Sequence, residues 1–159
     1  AFYVNQHANA DERLTGYERY VANCEELGAT DIKDALDRMI VCDDIIANYD
    51  RHWRNFGLVR NVNTLACRPA PIFDSGSSLW CNVSLEEHSF TSAQFHSSPA
   101  KQMLLVEDMS WFDGDKLEGF VDEAIEILSR NDALTARLPY LKEALTWRLR
   151  RMIDIAEWS

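Results

Sequence analysis

The sequence predicts a mainly α domain with one short β-hairpin, and three observations predict it. Apolar residues recur at helical spacing in four separate stretches, and two brief β-prone runs flank a polar turn in mid-chain. A 47% apolar content over 159 residues is enough for one core, so residues 1–159 are read as a single domain. The first helix is expected over residues 16–27, with Tyr17, Tyr20, Val21 and Cys24 on one face and Gly28 ending it. Thr30 is expected to cap a longer helix over 31–48, with Ile32, Leu36, Met39, Ile40 and Ile46 toward the core. Residues 56–60 and 70–73 read as the two strands, joined by the turn Asn61-Val62-Asn63-Thr64. Two later stripes, Leu117, Phe120, Val121, Ala124, Ile125 and Leu128, then Leu138, Leu141, Leu145, Leu149, Met152 and Ile153, predict core-facing helices. Between hairpin and stripes, residues 75–99 are rich in serine. A mobile substrate-facing segment and an ordered surface loop both fit that composition, and His88 and His96 within it take no assigned role.

Charge narrows the class of partner. With 26 acidic and 16 basic residues the net charge is −10, which repels a nucleic-acid backbone and argues against direct nucleic-acid binding. The densest basic cluster, Arg148, Arg150 and Arg151, reads as a solvated helix face. No stretch has the length of a membrane span, and the first residues lack a signal-peptide layout. Cys24, Cys42, Cys67 and Cys81 show no Cys-x-x-Cys spacing, so buried free thiols are expected in place of a zinc site with His88 or His96. A soluble, cytoplasmic protein is the expectation. Position 1 is not methionine, which is consistent with processing or with a segment cut from a longer chain.

Chemistry concentrates in two motifs, Asp50-Arg51-His52-Trp53-Arg54-Asn55 and Phe73-Asp74-Ser75-Gly76. Phosphoryl transfer asks a protein for a positioned acceptor hydroxyl and for a metal to offset growing negative charge. Asp50 suits the role of base or orienter of that hydroxyl. Magnesium takes hard oxygen ligands and needs only one or two from protein, which Asn55 and Asp74 can supply. Arg51 is expected to pair a nearby carboxylate, and His52 to hydrogen-bond the loop backbone. The plainer reading is that such a polar run only caps a helix and binds its neighbour. Context favours the chemical reading: a helix leads into Asp50, Phe56-Gly57-Leu58-Val59 leaves Asn55, and Ala70-Pro71-Ile72-Phe73 delivers Asp74. Two short strands would then hold both metal ligands at neighbouring ends.

At these residues the chain resembles the HipA-like serine/threonine kinases, which are distantly similar to the phosphoinositide 3-kinase catalytic core. The resemblance is best over residues 35–80, in DDIIANYDRHWRNFGLV and APIFDSGSSLW. It implies a kinase C-lobe-like helical domain in which Asp50 is catalytic and Asn55 and Asp74 hold Mg2+, with ATP as phosphate donor. Asp74 is followed by Ser75 and Gly76, not by the Phe-Gly of ordinary protein kinases, which weakens transfer of their activation-loop switch. A kinase also needs a lysine and a cover for the phosphates. Lys33 is the only lysine before Asp50, and Gly16 and Gly28 are isolated, so an N-terminal nucleotide lobe is expected from elsewhere. The acceptor is expected to be a protein serine or threonine, with a lipid or small-molecule hydroxyl as the alternative. Another alternative is an inactive helical module that pairs with a DNA-binding antitoxin, as some relatives in that family do.

Overall fold

The computed structural model of the chain describes residues 15–81 and 102–158. The fold is mainly helical: α1 (Gly16–Glu26), α2 (Ile32–Ile45), α3 (Phe120–Ser129) and α4 (Leu138–Glu157), with an antiparallel hairpin, β1 (Leu58–Arg60) and β2 (Cys67–Pro69), between α2 and α3. Short 3-10 turns at Gly114–Leu117 and Asp132–Arg137 precede α3 and α4. Among the described residues, no helix is long and apolar enough to cross a membrane.

The helix ends are set by local chemistry. Thr15 and Glu18 form a reciprocal capping box: the Thr15 hydroxyl accepts from Glu18 N at 3.3 Å, and the Glu18 carboxylate accepts from Thr15 N at 2.8 Å. At the other end Gly28 turns left-handed at φ 83°, with Gly28 N donating to Glu25 O and Ala29 N to Cys24 O. That is a Schellman closure, for which glycine is suited because it has no Cβ. The start of α2 corrects the expectation. Its N-cap is Asp31, and the Thr30 hydroxyl is spent on the Asp31 carboxylate at 3.2 Å in place of the helix backbone. The end is also earlier than expected, at Ile45 and not Asn48. There Ala47 N donates to Asp44 O and Asn48 N to Asp43 O, a second Schellman closure whose left-handed residue is Ala47 at φ 53°.

The hairpin forms, but its second strand lies at Cys67–Pro69 and not at 70–73. Asn61 holds the turn as expected, its side-chain oxygen accepting from Asn63 N and Thr64 N. Leu65, left-handed at φ 61°, then returns the chain at once, so pairing starts at Arg60↔Cys67. Pairing beyond Leu58↔Pro69 is limited to one bond, from Ala70 N to Gly57 O. Pro71 has no N–H to extend it.

Two apolar clusters pack along α2 and a third lies just past its end. Tyr17, Tyr20, Val21 and Cys24 of α1 pack on Ile32, Leu36, Met39 and Ile40, with Trp53, Phe56 and Leu58 against them. Val41 and Ile45 pack with Met109 and Met152, and Ala47 with Trp80 and Leu141. Burial pushes the Cys24 thiol up to about 11, as for an inert core cysteine. All four cysteines are free, but Cys42 and Cys81 are exposed, so the expectation of buried thiols holds only in part. Among the described residues no group of three or more His, Cys, Asp or Glu side chains is arranged to hold a metal ion; His88 and His96 lie outside them. The α4 stripe is core at Leu141, Leu145 and Met152. The α3 stripe is shallower: no residue of α3 is fully buried, and Ile125 and Leu128 only flank the Trp80 cluster. Arg148 and Arg151 are not a solvated face; Arg148 is buried, and both pair with Asp44 of α2, leaving Arg150 exposed. Trp147 and Trp158 are exposed, whereas Trp80 is core.

One carboxylate ties α2 to the segment before α3. Asp37 is buried, and one of its oxygens accepts from both Glu107 N and Asp108 N at 3.2 Å. Burial raises its pKa above the ordinary carboxylate value despite those two donors. A raised carboxyl pKa makes the fold most stable relative to the unfolded chain below the unfolded pKa. That advantage is lost as pH rises through the folded one. Asp37→Asn keeps an acceptor for both amides and removes the charge, so its melting temperature should gain on the wild type as pH rises from acid to neutral. A constant difference across that range in thermal melts would contradict this. Leu145→Ala, in the fully buried middle of α4, should cost about 2–5 kcal/mol in denaturant titrations.

Candidate active site

The end of α2 builds the site. The Schellman closure carries Asn48 back over the last turn, where its side-chain N–H donates to Asp43 Oδ1 at 2.9 Å. The Asn48 side-chain oxygen then accepts from Asp50 N at 3.3 Å. From the other side, Asn55 Nδ2 donates to Asp50 O at 3.2 Å. Asp50 is thus held by its backbone N–H and carbonyl, and its residue is exposed. Its carboxylate has no part in those bonds and is available for chemistry.

Arg51 is the hub. It is fully buried, and Nε and Nη2 make a bidentate pair with the Asp43 carboxylate at 2.7 and 2.8 Å. Nη1 donates to Asn55 O at 3.0 Å and to Phe73 O at 2.6 Å, and Nη2 also donates to Ser75 Oγ at 3.2 Å. A guanidinium has five N–H donors in a fixed fork, and these five acceptors match them in number. The expected carboxylate partner of Arg51 is therefore Asp43. His52 is the expected backbone support: its Nδ1 accepts from Arg54 N at 3.3 Å, and its carbonyl from Asn55 N at 2.8 Å. Trp53 and Phe56 complete the loop's attachment by packing with Tyr20 of α1, at ring-centroid distances of 5.1 to 5.6 Å.

The hub joins the Asn55 backbone to the two neighbours of Asp74. Asn55 O and Phe73 O share one guanidinium nitrogen, and both neighbours of Asp74 are held by Arg51. Asn55 is buried, and because its amide N–H2 faces the Asp50 carbonyl, its oxygen is left as the acceptor. Asp74 is exposed and left-handed, with φ 56°. Such a backbone is uncommon outside glycine, though aspartate adopts it more readily than most residues. The two residues offer hard oxygen donors in the number that magnesium takes from protein. Lys33 is not placed to anchor phosphates: it lies in the first turn of α2 and pairs with Glu107 at 2.8 Å.

The motifs alone do not name Asp43 or Asn48 as parts of this site, and they give Ser75 no role. The available signal was Asp43-Asp44 within an apolar helical run, since two adjacent carboxylates there require partners.

The chain is similar to the serine/threonine-protein kinase CtkA of Helicobacter pylori strain J99, with 34% identity over 77 residues. That stretch is 44% of this chain and 23% of the relative, so the chain spans less than a quarter of its length. The relationship is kinase-like. No family profile matches the chain, and no solved structure does.

Replacing Arg51 would strand a buried carboxylate. Arg51→Met should lower stability by about 3–5 kcal/mol, as loss of one partner of a buried ion pair does. Arg51→Lys should recover little of it, because an ammonium has three donors and no planar fork. Denaturant titration of the three proteins tests this; full recovery by lysine would show that charge alone, and not the fork, holds the loop.

Proposed function

We propose that this chain is the catalytic part of a HipA-like, ATP- and magnesium-dependent kinase that transfers phosphate to a serine or threonine hydroxyl of a protein. The observation that carries the reading is the saturated Arg51 guanidinium, which joins the Asp50–Asn55 loop to the residues flanking Asp74. The similarity to a serine/threonine-protein kinase supports the same reading. Asp50 takes the proton of the attacking hydroxyl as the new O–P bond forms and the bond to the ADP oxygen breaks. Asn55 Oδ1 and the Asp74 carboxylate are the residues that would hold magnesium. When bound, the ion would offset phosphate charge. Arg51 and Asn48 keep these groups in register without touching substrate. The β- and γ-phosphates need a further anchor, which we assign to an N-terminal nucleotide lobe. The protein acts in the cytoplasm in this reading.

The test is phosphate transfer from γ-labelled ATP by a protein that joins this chain to its nucleotide lobe. Asp50→Ala should reduce the rate by about 10²–10⁴-fold, the usual worth of a general base. Its melting temperature should stay near that of the wild type, since the bonds that hold Asp50 are made by its backbone. Asn55→Ala and Asp74→Ala should raise the magnesium concentration needed for half-maximal rate. Transfer at the wild-type rate by Asp50→Ala would overturn the assignment, and unfolding of that variant would make Asp50 a structural residue.

A further inference from the structure

Among the described residues, the largest buried charged side chain outside the site is on α4, and it grips Asp44 and Trp80. Arg148 is buried, and its Nη1 donates to the Asp44 carbonyl at 2.6 Å and lies 3.4 Å from the Asp44 carboxylate. Its guanidinium also stands over the Trp80 ring, 5.3 Å from the centroid. Arg151, one turn on, reaches the same Asp44 carboxylate. Asp44 immediately follows Asp43, the partner of Arg51. Trp80 ends the segment that starts at Asp74, and that segment is stitched to the end of α2. Leu79 N donates to Ile46 O at 2.9 Å and Tyr49 N to Ser77 O at 3.4 Å, while Arg137 Nη2 donates to Trp80 O at 2.6 Å. Leu79 and Trp80 are both left-handed, at φ 56° and 53°. Two consecutive non-glycine residues in that region need external constraint; Arg137 and the Leu79 N bond hold their backbone, and Arg148 packs on the Trp80 ring.

We propose that Arg148 is a positioning residue, clamping the last turn of α2 and Trp80 together and thereby setting the loop of Asp50 and Asn55 against the segment of Asp74. The functional side of this assignment rests on the phosphoryl-transfer reading; the mechanical side does not. A cation desolvated to this degree is retained where several acceptors converge on it. Here a carbonyl, a carboxylate and an indole face belong to two separate segments. Without the clamp, Arg51 and the two backbone bonds at Tyr49 and Leu79 must hold the two motifs in register.

Hydrogen exchange on this chain, read by mass spectrometry, tests the mechanical side. Arg148→Met and Arg148→Lys are compared with Met152→Ala, a core variant of the same helix in another apolar cluster. Arg148→Met should speed exchange at the Tyr49, Asn55 and Leu79 amides by about tenfold or more, with α1 amides unchanged. Arg148→Lys should fall between. Met152→Ala should raise exchange without singling out those amides. Identical patterns for Arg148→Met and Met152→Ala, or no change at the three amides, would overturn the clamp. If Arg148→Met does not fold, Arg148→Lys decides by the same criterion. In the protein carrying the nucleotide lobe, Arg148→Lys should raise the magnesium needed for half-maximal phosphate transfer, and Met152→Ala should not. An unchanged magnesium requirement would deny Arg148 its positioning role even with a clamp present. Absence of transfer in the wild type would instead refute the kinase reading, leaving exchange to decide on the clamp.

Discussion

The buried pair of Arg51 and Asp43 is the constraint on which the site depends. Burying two charges is costly, and they persist only when geometry and further hydrogen bonds compensate. Here the compensation is also the architecture. The acceptors that complete the guanidinium are Asn55 O, Phe73 O and Ser75 Oγ, so satisfying the arginine requires the two motifs to meet. Asp43, in turn, is held by Asn48, and Asn48 sets Asp50. One ion pair therefore joins the loop of Asp50 and Asn55 to the residues on either side of Asp74.

Backbone strain accompanies this arrangement at particular places. Ala47, Asp74, Leu79 and Trp80 all lie in the left-handed region, and all are at or beside the site. Ala47 ends α2 early enough for Asn48 to fold back, while Asp74 is presented between two residues fixed by Arg51. Strain of this kind costs about 1–3 kcal/mol per residue and needs a surrounding structure that overdetermines the conformation. That supply is visible in the bonds from Arg51, Arg137 and Arg148.

The helices were legible because their signals are local. Tyr17, Tyr20, Val21 and Cys24 share a face, and Gly28 marks a left-handed stop that only a residue without Cβ takes easily. The end of α2 was not legible, since Ala47 occupies the equivalent position and alanine carries no such signal. The second strand was misplaced for a related reason: Leu65 turns the chain left-handed, where a branched apolar residue gives no warning. At the candidate site, Asp50, Asn55 and Asp74 stand out in the motifs as candidates, and Arg51 and His52 make the supporting bonds expected of them. Asn48 was hidden because its bonds to Asp43 and Asp50 depend on the helix end that Ala47 leaves unmarked, and Arg148 because its pairing joins distant segments. The same cause explains the mistaken reading of Arg148 and Arg151, whose partner Asp44 lies on a helix more than a hundred residues away.

Two adjacent carboxylates at the end of one helix explain how these distant segments become a unit. Successive residues on an α-helix point about 100° apart, so Asp43 and Asp44 cannot serve the same partner. Asp43 faces the loop and takes Arg51; Asp44 faces α4 and takes Arg148 and Arg151. The last turn of α2 is consequently fixed from two sides, by Arg51 of the loop that follows it and by Arg148 and Arg151 of α4. A rotation of that turn that improved one pair would loosen the other. That opposition gives the loop of Asp50 a defined register in a place where the helix itself has ended and its own hydrogen bonds no longer hold it. For the proposed phosphoryl transfer, which depends on positioning more than on covalent assistance from the protein, such a register is the property the fold would have to supply.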